Sequence, residues 1–295
     1  MLEVSGPPRA PDIREALRTS QSITEANSYR TREVVDITVN GSVGKWHSLK
    51  GGVTPHRKES STESGNVSYE IFFNPTTNSW LKIVRPEAKK SGLYERFETR
   101  LRKSAQQQRT ALEVAGLPKL ASQIKDTEVE IKGQKVYGFT SPHIGPTLEF
   151  ILYKITGHRK GRKLPTDAVD FFSYVYSIAS DQAEKLYLDF GVWTSDPNPG
   201  NILLHQAEDG IHVVLIDFSN SEQQQDNIFS HVPKDRFEPE AYLSKIKDML
   251  MRRVKRLHRR LEEHCNERGV PFIRNPQEVE ANIQRSPAYI SASKK

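Results

Sequence analysis

Only one cysteine, Cys265, occurs in the 295 residues. An internal disulfide is therefore excluded, and so is any zinc site built from several thiolates. The nine histidines show no metal-ligand spacing either. No apolar run approaches the roughly 18 residues of a membrane helix. The opening MLEVSGPPRAPDIREALRTS lacks the charged-then-apolar layout of a signal peptide, so a cytoplasmic location is expected. There is no internal repeat and no long low-complexity segment. What is there is a soluble composition, 36% hydrophobic and 27% charged, long enough to bury a core as one large domain or two lobes. A net charge of +6 favours anionic partners such as nucleotides, acidic proteins, nucleic acid or membrane surfaces, without choosing among them.

Residues 1–30 are polar and read as a disordered or targeting lead-in. VVDITV (34–39) is strand-like and ends at the turn signal Asn40-Gly41. GGVTPHRKESSTESGN (51–66) reads as a loop with glycines near both ends. YEIFFNPTTNSWLKIV (69–84) predicts a hairpin, two β-rich runs around a turn of Asn, Pro and Thr. The spacing of Leu93, Phe97, Leu101, Ala105, Leu112 and Ala115 predicts a helix stopped by Gly116 and Pro118. VEIKGQKVYGF (129–139) is a second hairpin, turning at Lys132-Gly133. The link TSPHIGPT (140–147) leads to a helix over 148–155, then the basic loop HRKGRK (158–163). Residues 167–186 predict a buried helix, and Ile246, Leu250, Val254, Leu257 and Leu261 form a late helical stripe whose charged face reads as ordinary surface. Strands followed by helices point to an α+β fold in two lobes, with a cleft between them as the natural ligand site.

The stretch TSDPNPGNILL (194–204) is the most informative. Two prolines and a glycine stiffen the backbone between Asp196 and Asn201. ILL (202–204) and VVLI (213–216) then make a small strand pair. It puts Asp196 and Asn201 just before one strand and Asp217 just after the other. Two carboxylates and a carboxamide are hard oxygen donors of the kind magnesium takes together with substrate phosphates. Lys82 lies mid-strand between Leu81 and Ile83, where it could clamp a phosphate. Each feature has a plainer reading: Asp, Asn, Pro and Gly are common turn formers, a strand lysine is usually solvated, and Trp193 reads as core.

Together, T-S-D-P-N-P-G-N followed by D-F-S, the lysine strand WLKIV and the link FTSPHIGPTLEFIL resemble the protein-kinase-like superfamily, over roughly residues 50–260. DPNPGNILL is closer to atypical and small-molecule kinases, including the aminoglycoside phosphotransferases, than to ordinary Ser/Thr kinases. The resemblance implies a bilobal kinase-like fold: a β-rich N-lobe over 31–142, a reduced, mainly helical C-lobe over 143–265, and a tail over 266–295. It implies that Asp196 aligns or deprotonates the attacking hydroxyl, that Asn201 and Asp217 hold Mg, and that Lys82 contacts the ATP α- and β-phosphates. The segment from Thr140 through Pro142 to Ile144 would line the adenine pocket and offer backbone hydrogen bonds.

The departures are specific. Thr194 and Ser195 stand where the family has His and Arg. Asp-Phe-Ser replaces Asp-Phe-Gly, and no A-P-E-like motif follows Ser219, so activation by loop phosphorylation is not expected. Glu98 is the first choice for the lysine's partner carboxylate, with Glu95 one turn earlier. A register taken from the Gly-Leu-Pro ending instead reaches Gln106 to Gln108, with no carboxylate. Gly51 and Gly52 are the candidates for the phosphate loop, Gly41-x-x-Gly44 a weaker one. The expected activity is transfer of the ATP γ-phosphoryl to a hydroxyl, first on a protein, for which the basic loop suggests an acidic one, with no nucleic acid partner and no transmembrane segment. Alternatives are a small-alcohol substrate, a pseudokinase scaffold, AMP transfer, and a secreted effector acting in a host cytoplasm.

Overall fold

The computed structural model describes residues 31–49, 69–90, 92–156, 164, 166–194, 197–218 and 237–294. The lead-in 1–30, Gly51 and Gly52, the HRKGRK loop, Ser195, Asp196 and the segment after Phe218 lie outside the described residues. The fold is α+β. Six strands come first, interrupted by a helical segment between the fourth and fifth: β1 (Thr31–Val39), β2 (Ser42–Leu49), β3 (Tyr69–Asn74), β4 (Ser79–Val84), then β5 (Lys125–Ile131) and β6 (Gln134–Pro142). Both tight turns named by sequence are present. Asn40-Gly41 and Lys132-Gly133 each supply two consecutive positive φ angles, the geometry a two-residue antiparallel connection requires.

The expected β-rich lobe is a closed barrel in the order β1-β2-β3-β4-β6-β5. Closure comes from β1, whose end pairs with β5 through Thr38↔Glu130 and Val39↔Val129. Period-two alternation drives Ile37, Trp46, Phe72, Leu81, Ile83, Val129, Ile131 and Val136 into the barrel interior. The opposite face of β3, β4 and β6 carries Tyr69, Ile71, Phe73, Trp80, Lys82, Val84 and Phe139, by the registers Phe73↔Trp80, Ile71↔Lys82, Tyr69↔Val84 and Lys82↔Phe139. This outer face positions the candidate site.

Helix α1 (Tyr94–Val114) lies between β4 and β5 in sequence and packs Leu101, Ala105 and Leu112 against Val84, Tyr137 and Phe139. It stops where Gly116 takes φ +80° and Leu117 N–H bonds back to Leu112 O at 2.8 Å. A one-turn helix α2 (Pro118–Ala121) leads into β5. Beyond the link come α3 (Leu148–Thr156) and the 25-residue α4 (Thr166–Phe190), then the ribbon β7 (Ile202–Ala207) and β8 (Gly210–Leu215), then α5 (Pro239–Asn266). The α5 stripe of Ile246, Leu250, Val254, Leu257 and Leu261 is buried against α4, as its spacing implied. Trp193 is buried core.

Two sequence-based placements need correcting. Thr140 and Pro142 belong to β6, not to the link; Thr140 pairs with Leu81 and Lys125. Residues 266–295 are not a simple tail, since α6 (Pro276–Arg285) and α7 (Pro287–Ser293) bury Val279, Ile283 and Ala292 in the helical core. The missed signals were Asn275-Pro276 and Ser286-Pro287. Each is an N-cap whose side-chain oxygen accepts from Gln277 N or Tyr289 N, with Pro at the first helical position. Glu184 of α4, only 2% exposed, holds these helices in place through Arg274, Asn282 and His258.

Candidate functional site

The ribbon β7–β8 sits under the outer barrel face, its Leu203 and Val214 packed among Leu101, Phe139 and Ile144. Its turn end and its open end are both tied down. At the open end, Ile216 N–H donates to Asn201 O at 2.9 Å, so Asn201 and the residue after Ile216, Asp217, are held at the same edge. Asn201 closes a 3-10 turn (Pro199–Asn201) in which Asn198 Oδ1 accepts from Gly200 N at 2.8 Å and Asn198 O accepts from Asn201 N at 2.9 Å. Pro197 and Pro199 are buried, so the loop's stiffness is also packed in place. Asp217 adopts φ +61°, the left-handed region, a conformation a non-glycine residue takes at a cost and most often where a side chain must be aimed.

Lys82 Nζ donates to Asp217 Oδ1 at 3.4 Å, joining residues 135 positions apart. The same ammonium lies 5.3 Å from the centre of the Tyr69 ring. The Lys82 side chain is 17% exposed and that of Asp217 42%. An ion pair this open contributes about 0–1 kcal/mol, so an entering anion and cation can exchange with it at little cost. Lys82 and Asp217 thus meet, with the Asn201 backbone at the same ribbon edge, while Asp196 and the Gly51-Gly52 candidate lie outside the described residues.

Glu98 is a correction. Its carboxylate does not meet Lys82. It accepts from Arg102 Nε at 3.0 Å and Nη2 at 2.7 Å, one turn along the same helix. The reason is the rotation of α1 on the barrel: Leu101 and Ala105 face the sheet, which turns Glu98 and Arg102 toward the β5–β6 side. There they line a separate cavity of about 330 Å³ with Tyr94, Asp126 and Tyr137. Arg102 stacks 3.9 Å from the Tyr137 ring centre. In that cluster burial and the bond to Asp126 push the Tyr137 hydroxyl well above its usual range. Burial would raise Asp126 too, but the Tyr137 and Arg109 hydrogen bonds outweigh it and hold the carboxyl below its usual range. Further along α1, Gln108 Nε2 reaches Ser141 Oγ of β6 at 3.2 Å, so the stretch that the Gly-Leu-Pro register reaches, with glutamines and no carboxylate, faces the end of β6.

Three positioning residues escaped the sequence reading. Buried Gln182 of α4 donates to Ala111 O at 2.9 Å and accepts from Leu215 N at 2.9 Å, tying α1 and the end of β8 to one side chain. His205 Nδ1 lies 2.7 Å from Ile144 O, fixing the link to β7. His212 lies between Ala115 O (2.8 Å from Nδ1) and Asp209 Oδ1 (2.9 Å from Nε2), fixing α1 to β8. Burial opposes the charge on His212, but two acceptors at its two ring nitrogens favour the imidazolium and raise its pKa. No motif marks these three residues. His205 and His212 at least adjoin the apolar runs of the ribbon, whereas Gln182 sits among polar neighbours and carries no signal.

Among the described residues no group of three or more His, Cys, Asp and Glu is arranged to hold a metal ion, and no helix is long and apolar enough to cross a membrane. One carboxylate and one carboxamide, Asp217 and Asn201, fit a hard cation that brings phosphate and water ligands with it. No family model matches the chain, and no curated protein matches it in sequence. Among solved structures, the ROP18 kinase domain in complex with AMP-PNP and sucrose aligns at TM-score 0.37 and 12% identity, over 96% of this chain and 90% of that one. The functional reading therefore rests on side-chain geometry and motif chemistry.

Proposed function

We propose that the chain is a bilobal, kinase-like phosphotransferase that moves the γ-phosphoryl of ATP to a hydroxyl on a protein. The observation that carries this reading is the Lys82–Asp217 pair, closed by residues far apart in sequence. The motif resemblance had assigned one of them to phosphate and the other to metal. Magnesium, when bound, would neutralise phosphate charge. Asp217 and Asn201 are the side chains to hold it, and Lys82, released from Asp217, would face the α- and β-phosphates. Asp196, five positions before Asn201 in the sequence, is the proposed acceptor of the hydroxyl proton. Catalysis would then be positioning and charge neutralisation. A protein acceptor suits the basic HRKGRK loop and the lack of an obvious small-molecule insert.

The test is incubation of the full chain with magnesium, a cell lysate and ATP labelled at either the α or the γ position. Expected is Mg-dependent transfer of the γ label alone to protein, abolished in Asp217→Ala and Asp196→Ala with unchanged circular dichroism. Transfer of the α label would replace phosphoryl by AMP transfer. One observation favours a second reading, a nucleotide-gated scaffold: Lys82 has no carboxylate partner on α1, because Glu98 is bound to Arg102. Nucleotide binding without transfer of either label would select it.

A further inference from the structure

The outer barrel face carries more than Lys82. Two residues along β4, about 7 Å toward the link, the same face presents Trp80. Its indole packs against the cross-strand neighbour Phe73 with centroids 4.6 Å apart and the rings tilted by 45°. Its Nε1–H donates to His143 Nδ1 at 3.1 Å, and the His143 ring lies 6.0 Å from Trp80 and 6.1 Å from Phe73. The indole is held on its hydrogen-bonding edge and against Phe73, yet stays half-buried rather than sealed. A rigid, partly open aromatic surface stands beside the ammonium that marks the phosphate end.

Several groups of the link, by contrast, are already engaged by its neighbours. Pro142 and Pro146 have no N–H. His143 N–H donates to Asn78 O at 3.0 Å, Ile144 O is taken by His205, and Pro146 O by Leu204 N–H at 2.9 Å. Ser141 Oγ donates to Pro142 O. Part of the backbone expected to recognise a base along 140–144 is thus held by Asn78 and His205 instead.

We propose that Trp80, braced by Phe73 and His143, is the nucleobase platform of this site, and that the base is selected by stacking rather than by its hydrogen-bonding edge. This rests on the phosphotransferase reading and deepens it. Every base has a π-face, so a stacking platform tolerates base identity. The site therefore takes purine nucleoside triphosphates as a class, ATP and GTP alike.

The experiment is calorimetry on the full chain with Mg-ATP, Mg-GTP and Mg-tripolyphosphate, for wild type, Trp80→Leu and Trp80→Phe, each checked for an unchanged melting temperature. Expected are ATP and GTP affinities within about threefold of each other. Trp80→Leu should weaken both by about tenfold to a hundredfold, Trp80→Phe should restore most of the loss, and neither should change tripolyphosphate binding. Nucleotide should also quench tryptophan emission in wild type and not in Trp80→Phe, since Trp46 and Trp193 are buried at 5% and 3% exposure. The proposal is overturned if Trp80→Leu binds ATP as wild type does, if it binds more tightly because the indole was an obstruction, or if wild type discriminates ATP from GTP a hundredfold. If neither nucleotide nor tripolyphosphate binds wild type, or if Asp217→Ala leaves Mg-tripolyphosphate binding unchanged, the phosphotransferase reading fails first and the platform with it.

Discussion

Gly145→Ala probes the join between the link and the ribbon that carries Asn201 and Asp217. A Cβ at Gly145 would stand 2.0 Å from Leu204 O and 3.0 Å from Leu204 C, both backbone atoms that cannot rotate aside. Real Cβ contacts do not fall below 3.0 Å, so the link must retreat from β7 by about 1 Å. That retreat stretches the Leu204 N–Pro146 O bond (2.9 Å) and the His205–Ile144 O bond (2.7 Å) past useful length. Each is worth roughly 1 kcal/mol net, and with the packing lost around Leu203 the total is about 3 kcal/mol. For a chain this long that lowers the melting temperature by roughly 6–12 °C. Gly191→Ala is the control. Gly191 has φ +64° but nothing within 4 Å, so alanine there bears only backbone strain, about 1 kcal/mol or roughly 2–4 °C. Differential scanning calorimetry on both variants decides the matter. Equal shifts would refute the reasoning, because the close approach at Leu204 O would then carry no cost.

His212 should make stability pH-dependent. Its folded pKa lies above the ordinary value, so its contribution is complete below about pH 6.5 and fades as pH rises through the raised folded value. The melting-temperature gap between wild type and His212→Gln should therefore shrink from about pH 5.5 to about pH 8.5, and a constant gap would refute it. Arg274→Met leaves the Glu184 carboxylate buried at 2% exposure with only Asn282 and His258, and should cost about 3 kcal/mol in urea unfolding. A loss under about 1 kcal/mol would mean the carboxylate is not confined as described. Cys265 is fully buried, and burial raises its thiol pKa to about 12, so a disulfide reagent at neutral pH should titrate no thiol until the protein is denatured. Rapid labelling of the native chain would contradict its burial.

Local chemistry carried much of the fold. The hairpin turns at Asn40-Gly41 and Lys132-Gly133, the stop at Gly116 and the ribbon around Asp209-Gly210 follow from backbone constraints that act over two to four residues. They could be read without knowing what the segments pack against. That Lys82 and Asp217 belong to one site was an expectation drawn from the motif resemblance, and the contact between them is what the fold adds.

The sequence by itself marked most of the strands and helices and their order, and it named candidate side chains for the site. The tertiary structure alone decided that β1 closes the strands into a barrel, that Glu98 turns to Arg102 and the β5–β6 cavity, and that Trp80 shares a face with Lys82 next to a partly occupied link. A periodicity says which residues share a face. It does not say which way that face points, because the rotation of a helix on a sheet is set by packing with residues far away in the chain.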